Sequence, residues 1–432
     1  MMNSESRKAF FRQSGWMVLA TGIGGVFMSA VHPVTAKIED YALFAVLLRC
    51  LIPLGIPTAG LQIVFAQQAA AAIEESQVEQ LRRTARSVMA VLFFGWLALA
   101  AFLFFAQDSV LRFLQINNAR ALWTTMLVVL VSLWLPVLRG ILQGRQNFMA
   151  LGWAGILDGA GRLLAASIIV KILHGGAAGA MASAVFGQLT VLAACLWWGR
   201  DVFTGRTSAF QWRVWFKRLI PLTFGFGALL FVQSADLIYV QSVLSGEQVR
   251  FYTPVNVIGF ALVQFTGPMV AVMFPKVVRS LARTEKTDAL KLTFFTTAAV
   301  GIAAALVCTI LPELPFRVLY FTRPEFWKSA PLVPWFVWCM VVTTLANVLI
   351  GNLLAREKFS IVPSLVVIGL AYGLTLFLLR NYLKSLPPFD ALQRVVLTLG
   401  GFNLALLAVA AWFTWHKAAL TPVFGSKEAA AR

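Results

Sequence analysis

The sequence predicts an all-α polytopic membrane protein, with twelve transmembrane helices in two parallel six-helix lobes around a central cavity. Hydrophobic residues make up 59% of the 432 residues and charged residues only 12%, whereas a soluble domain is about one-quarter charged. The nonapeptide GILQGRQNF, which begins at Gly140, is related to GNLLAREKF, which begins at Gly351, 211 residues later. The two share Gly, Leu, Arg and Phe at the same four positions. This offset is about half the chain and indicates a doubled membrane unit, which is typical of transporters more than of enzymes.

Stretches of about 20 apolar residues define the twelve spans. They cover residues 14–34, 41–69, 86–107, 119–142, 149–173, 176–199, 215–243, 251–275, 289–312, 329–354, 359–380 and 391–415. Pro53 and Pro57 lie inside the second span, where proline is expected to bend a helix. The loops between spans are short and leave no room for a separate domain outside the membrane.

The formal net charge of +18 is unevenly distributed along the chain. With the N-terminus placed in the cytoplasm, 23 of the 36 Lys and Arg residues fall on the cytoplasmic side, 11 on the opposite side and two within spans. This positive-inside asymmetry predicts that both termini are cytoplasmic. The basic loops are therefore expected to meet anionic membrane lipids, and a nucleic-acid partner is not expected.

Six spans precede Arg200 and six follow Arg213. We predict an N-terminal lobe over residues 1–199, a cytoplasmic linker over 200–214, a C-terminal lobe over 215–415 and a cytoplasmic tail over 416–432. Because each half has an even number of spans, both halves insert with the same orientation. The repeat axis then runs along the membrane normal, and a cavity is expected between the lobes.

The cysteines and histidines predict no metal site, disulfide or cofactor. All four cysteines fall within predicted spans, and His32, His174 and His416 are far apart in the sequence. Neither pattern has the spacing of a zinc site or a disulfide framework.

Asp158 and Arg162 are ionisable residues within the fifth span. A charge at the centre of a membrane costs roughly 2.5–3.5 kcal/mol on insertion scales, so such residues are candidates for function. Their spacing of four places them on one helix face, where they can pair. One interpretation is a structural ion pair; the other is an arginine that exchanges Asp158 for an anionic ligand.

Arg49 has no acidic residue within helical reach on its own span. One interpretation is that its side chain extends to the membrane surface. The other is that it lies beside the bend at Pro53 and Pro57 and binds a phosphate, since arginine binds phosphate through two parallel hydrogen bonds.

Asp236 is the acidic residue of the seventh span. A carboxylate in this setting carries a coupled proton or sodium ion in some transporters. The alternative is a structural bridge to a polar neighbour on the eighth span, with Asn256 and Gln264 as candidates. Amides within spans, such as Gln62, are commonly contacts between helices, although a passing oligosaccharide also requires amide groups.

Three segments carry a resemblance to a known family. They are GIPTAGLQIVFAQQAAA (55–71), LRGILQGRQNFMALGWAGILDGAGRLLAA (138–166) and the stretch 236–280, which starts at DLIYVQSVLSGEQ and ends near FPKV. With twelve spans in two halves, the chain resembles the multidrug/oligosaccharidyl-lipid/polysaccharide (MOP) exporter superfamily, and within it the lipid-linked oligosaccharide flippases. The resemblance implies a V-shaped cavity that opens alternately to either side of the membrane. The two additional spans typical of lipid II flippases are missing.

The resemblance implies a transporter that flips an undecaprenyl-pyrophosphate-linked oligosaccharide across the bacterial inner membrane for cell-surface polysaccharide biosynthesis, with polysaccharide assembly proteins as possible partners. The expected substrate-binding residues are Arg49, Arg162, Gln62, Asn256 and Gln264, and Asp158 and Asp236 are expected to balance charge or carry a coupling ion. One alternative is a cation-coupled exporter of drugs or metabolites. The other is a membrane-embedded glycan polymerase or ligase, which the missing catalytic constellation disfavours.

Overall fold

The computed structural model describes residues 4–35, 38, 40–113, 118–207, 209, 211–285, 287–320 and 323–416. Within these residues the secondary structure is helical, without strands. The α-helices are α1 (Ser4–Thr35), α2 (Tyr41–Leu51), α3 (Gly55–Ala71), α4 (Glu75–Phe113), α5 (Ala119–Gly144), α6 (Phe148–Ala166), α7 (Gly176–Trp198), α8 (Trp212–Val243), α9 (Gly246–Ala282), α10 (Ala289–Ile310), α11 (Leu314–Leu319), α12 (Val333–Ala355), α13 (Val362–Leu378), α14 (Arg380–Ser385) and α15 (Pro388–Trp415).

The predicted twelve-span fold is confirmed. Eleven helical stretches of the described chain are long and apolar enough to cross a membrane. The remaining span, predicted second over 41–69, is broken into α2 and α3 by a 3-10 turn at Ile52–Leu54, so neither part alone reaches the necessary length. Pro53 lies in that turn and Pro57 in the first turn of α3. Because proline lacks a backbone N–H and crowds the preceding turn, these two residues account for the break.

The two related nonapeptides adopt the same helix ending. Helices α5 and α12 end at Gly144 and Ala355, which are 211 residues apart. Two residues after each helix end, the backbone adopts the left-handed conformation, at Gln146 with φ 60° and at Glu357 with φ 55°. The next N–H then reaches back to the helix, from Asn147 to the Leu142 carbonyl at 2.9 Å and from Lys358 to the Leu353 carbonyl at 3.0 Å. Both are Schellman motifs, so the repeat extends to the backbone.

The chain divides into two compact units. The described residues up to Thr223 form the first, here called the amino-terminal unit, and those from Phe224 form the carboxy-terminal unit. In the amino-terminal unit α1 packs on α6, α3 packs on α5, and α7 contacts both α5 and α6. In the carboxy-terminal unit α12 contacts α9, α10 and α15. The boundary falls within α8, which contributes residues to both units.

Candidate functional site

A polar cluster lies in the interior of the amino-terminal unit. The Arg139 Nη2 on α5 donates to the Asp158 Oδ2 on α6 at 3.0 Å, and the two side chains are 27% and 21% exposed. The sequence places Asp158 and Arg162 on one helix face, where they can pair. In the structure the hydrogen-bonded partner of Asp158 is instead Arg139 on the neighbouring helix. A spacing of four permits a contact along the helix but does not exclude a better donor opposite.

Arg162 lies one turn beyond Asp158, and the hydrogen-bond donors of its guanidinium are only partly paired. Its Nη1 donates to the Met28 Sδ at 3.5 Å, and its buried Nε has no hydrogen-bond partner. Among the described residues no carboxylate forms an ion pair with it. A thioether sulfur is a weak acceptor, so this contact compensates little for the burial of a guanidinium. The cluster of Arg139, Asp158 and Arg162 therefore carries a surplus positive charge.

Helix α7 packs closely against α6 beside these polar residues. A Cβ atom added at Gly187 on α7 would lie 2.7 Å from the Asp158 carbonyl oxygen and 2.9 Å from the Arg162 Cβ. Only glycine permits the two backbones to approach so closely at this position. At its start, α6 is capped by Asn147, whose Oδ1 accepts from the Ala150 N–H at 3.2 Å. The helix bearing Asp158 and Arg162 is thus fixed at its start and along one face.

The other predicted residues of this unit are placed as follows. Arg49 belongs to α2, but its side chain lies outside the described part of the structure. The Gln62 Nε2 on α3 donates to the Gln143 Oε1 on α5 at 3.1 Å. This contact fits the interpretation of Gln62 as a link between helices, and Gln143 belongs to the first nonapeptide.

A cavity of about 840 Å³ lies at the far ends of α1 and α6. Its polar lining residues include Asp40, Lys171 and His174. Neither Asp158 nor Arg162 lines this cavity. Within the described residues no group of three His, Cys, Asp or Glu side chains is arranged to hold a metal ion.

A second polar cluster is buried in the carboxy-terminal unit around Asp236. This residue on α8 is fully buried. Its Oδ2 accepts from the Tyr252 Oη at 2.6 Å and from the Asn256 Nδ2 at 3.2 Å, both on α9. Its buried Oδ1 has no hydrogen-bond partner. The Oδ2 atom therefore accepts two hydrogen bonds, while Oδ1 accepts none. An unpaired polar atom is costly in a buried environment.

The structure brings Asn256 to Asp236 but not Gln264, which is exposed two turns further along α9. Two further residues in these clusters, Tyr252 and Arg139, were not predicted from the sequence. Tyr252 lies one helical turn before Asn256 and shares its face, a spacing visible in the sequence. Arg139 falls near the end of the predicted span 119–142 and was counted with the cytoplasmic charges, so its pairing across helices with Asp158 had no sequence signal.

No protein-family model and no curated protein matches this sequence. Solved structures do match along nearly its full length. An outward-facing multidrug resistance MATE family transporter of the MOP superfamily is 13% identical with a TM-score of 0.72, covering 94% of this chain and 94% of its own. A MATE in complex with MaD3S is 12% identical with a TM-score of 0.72, covering 94% and 95%.

A MOP superfamily transporter from Pyrococcus furiosus, for which reverse polarity of the binding pocket suggests a different function, is 15% identical. Its TM-score is 0.72, with 94% of each chain covered. At such identities a likeness establishes the fold, while function depends on the residues of the site. The chain therefore has the fold, with twelve membrane spans, of the MATE transporters of the MOP superfamily.

Proposed function

We propose that the protein is a transporter that flips an undecaprenyl-pyrophosphate-linked oligosaccharide across the bacterial inner membrane by alternating access, with both termini in the cytoplasm. The supporting observation is the surplus positive charge at Arg162. A pyrophosphate carries several negative charges and accepts parallel hydrogen bonds from a guanidinium. A polar headgroup of this kind does not cross about 30 Å of hydrocarbon without such a site.

In this proposal the two arginines have different roles. Arg139 is neutralised by Asp158 at 3.0 Å, so an anion that binds Arg139 has to displace that carboxylate. Arg162 has only the Met28 thioether as acceptor among the described residues, so an anion binds it without breaking an ion pair. In this proposal Arg162 binds the pyrophosphate, Asp158 balances the charge of Arg139, and Arg49 supplies a further cation from α2.

The test is complementation in cells that lack the gene. Arg162→Gln should abolish surface polysaccharide and cause the lipid-linked oligosaccharide to accumulate in the inner leaflet, while Arg162→Lys should retain part of the activity. Arg283→Gln removes the same charge from an exposed residue after α9 and serves as the matched control. Normal surface polysaccharide with Arg162→Gln, at equal protein levels, would refute the proposal.

The second candidate function is a cation-coupled exporter of drugs or metabolites. It is favoured by the buried Asp236 Oδ1 without a partner, because a bound cation would give that oxygen a partner and a bound proton would remove the buried charge. This function predicts that expression confers drug resistance and that Asp236→Asn removes it. Glu247→Gln makes the matched change at an exposed acid in the first turn of α9 and is the control. Resistance that persists with Asp236→Asn excludes this use of the carboxylate.

A further inference from the structure

The first turns of α8 expose a row of large apolar side chains. Trp212, Phe216 and Ile220 follow one another at intervals of four, and they are 40%, 43% and 53% exposed. The Trp212 and Phe216 rings stack with centroids 5.9 Å apart and planes inclined by 21°. Residues four apart lie on the same helix face. These three side chains therefore form one continuous strip, here called the apolar row.

The adjacent face of these turns is anchored inside the amino-terminal unit, and its Trp215 ring also contacts the Trp212 and Phe216 rings. Trp215 is 8% exposed, and its ring centroid lies 6.3 Å from that of Phe65 on α3. Because Trp215 is held inward, the apolar row faces outward from the unit. The orientation of the row is thus fixed by packing within the unit.

Two cations lie beside the apolar row. Arg213 and Lys217 each follow a row residue by one position, so they lie about 100° further round the helix. Both are exposed, and Arg213 forms no ion pair with a carboxylate of the described residues. The sequence contains no Asp or Glu from Val202 to Ala235. The surface here is apolar on one side and basic on the other.

The position of this surface along the chain matches a membrane boundary. The helix, which is long and apolar enough to cross a membrane, begins at Trp212, directly after the polar segment that starts at Arg200. Trp at such a boundary lies at the level of lipid headgroups. With Trp212 at that level, Ile220, two turns further along the helix, is expected at the level of the acyl chains.

We propose that the start of α8 is a binding site for an anionic phospholipid. Arg213 and Lys217 bind the headgroup phosphate, and one acyl chain lies along Trp212, Phe216 and Ile220. The guanidinium and ammonium groups supply charge complementarity, and the aromatic rings supply a flat apolar contact. The proposal is independent of the solute that the protein transports.

Native mass spectrometry of the purified full-length protein tests this site. The probes are phosphatidylglycerol and phosphatidylcholine with identical acyl chains. The wild-type protein should prefer phosphatidylglycerol. Each cation near the headgroup contributes about fivefold in affinity, so the double variant Arg213→Gln/Lys217→Gln should lose about 25-fold for phosphatidylglycerol. Its binding of phosphatidylcholine should remain unchanged.

Two further variants separate the outcomes. Arg283→Gln/Lys384→Gln removes two exposed cations elsewhere and should leave the preference intact. Trp212→Ala/Phe216→Ala should weaken the binding of both lipids. The proposal is overturned if the first double variant binds phosphatidylglycerol like the wild type, or if the control loses the preference equally. It is also overturned if removing both rings changes the binding of neither lipid.

Discussion

Arg145 and Asp201 form an ion pair through two parallel hydrogen bonds, Nη1 to Oδ1 at 2.8 Å and Nη2 to Oδ2 at 2.7 Å. This pair attaches the segment after α7 to the turn of the first nonapeptide. In the second nonapeptide the equivalent Arg356 instead donates from its Nε to the Asn352 Oδ1 on its own helix, at 3.1 Å. The repeated arginine thus has a different partner in each half, and both contacts are structural.

The Arg145–Asp201 pair predicts a pH-dependent contribution to stability. Partial burial raises the pKa of Asp201, but the hydrogen bonds and charge of Arg145 outweigh it and hold the pKa below its ordinary value, with a smaller effect from Arg82. A carboxyl with a lowered folded pKa stabilises the protein above the ordinary Asp value of about 4, and this contribution is lost as pH falls towards the folded pKa.

Asp201→Asn should therefore lower the melting temperature at pH 7, and the difference from wild type should shrink below about pH 4. Asp201 is 49% exposed, so screening limits the contribution to at most about 1 kcal/mol. Differential scanning fluorimetry across this pH range measures it. Glu75→Gln, which breaks a pair whose carboxylate is 71% exposed, should cause no comparable change. A pH-independent difference would show that the charge of Asp201 is not responsible.

The sequence predicted the spans well because a membrane imposes a strong pattern on composition. The fourth span, predicted over 119–142, is α5 at Ala119–Gly144, and the last, predicted over 391–415, is α15 at Pro388–Trp415. The bend predicted from Pro53 and Pro57 is the 3-10 turn at Ile52–Leu54. These features depend on local chemistry, which the sequence contains directly.

The partners of the buried polar residues were harder to predict. Whether Asp158 pairs with Arg162 or Arg139 depends on how α5 and α6 face each other, and periodicity does not specify this. Asn256 and Gln264 were equal candidates for Asp236, yet only Asn256 faces it. Such contacts are decided by the rotation and depth of each helix in the bundle, which are set by packing.

A double-mutant cycle distinguishes the two possible partners of Asp158. The coupling free energy between Asp158→Asn and Arg139→Gln should be about 1–2 kcal/mol, because the two side chains are in contact. The coupling between Asp158→Asn and Arg162→Gln should be smaller, because only a charge interaction and no hydrogen bond joins these two side chains. Thermal unfolding of the purified variants in one detergent supplies both values. A larger coupling free energy with Arg162 than with Arg139 would show that Asp158 pairs along its own helix instead.

The repeated glycines should respond differently to substitution. A Cβ at Gly140 would meet the Gln62 carbonyl oxygen and lie 2.8 Å from the Phe65 Cβ, whereas a Cβ at Gly351 would lie 3.0 Å from the Val270 Cγ1. The α3 backbone cannot move aside easily, but a valine side chain can. Gly140→Ala should therefore cost about 1–3 kcal/mol, while Gly351→Ala should be nearly neutral.

The readouts for this pair are the melting temperature and the monodisperse fraction after size-exclusion chromatography. Both variants make the same chemical change at equivalent repeat positions, so each is the control for the other. Equal destabilisation would mean that α9 and α12 are packed as tightly as α3 and α5.

Gln146 and Glu357 provide a final test of the repeat, because both occupy the left-handed position of a Schellman motif. A residue with a Cβ is strained there, and glycine is not. Gln146→Gly and Glu357→Gly should each stabilise the protein, by about 1 kcal/mol after the entropy that glycine adds to the unfolded chain. Gln146→Ala and Glu357→Ala keep the Cβ and should give no gain, and each is the reference for the Gly variant at its own position because Glu357 also has a further interaction. Since the two positions are equivalent and 211 residues apart, the two gains should be similar and additive in thermal unfolding. A gain at only one position would show that the local backbone is strained in one half and relaxed in the other, despite the shared φ.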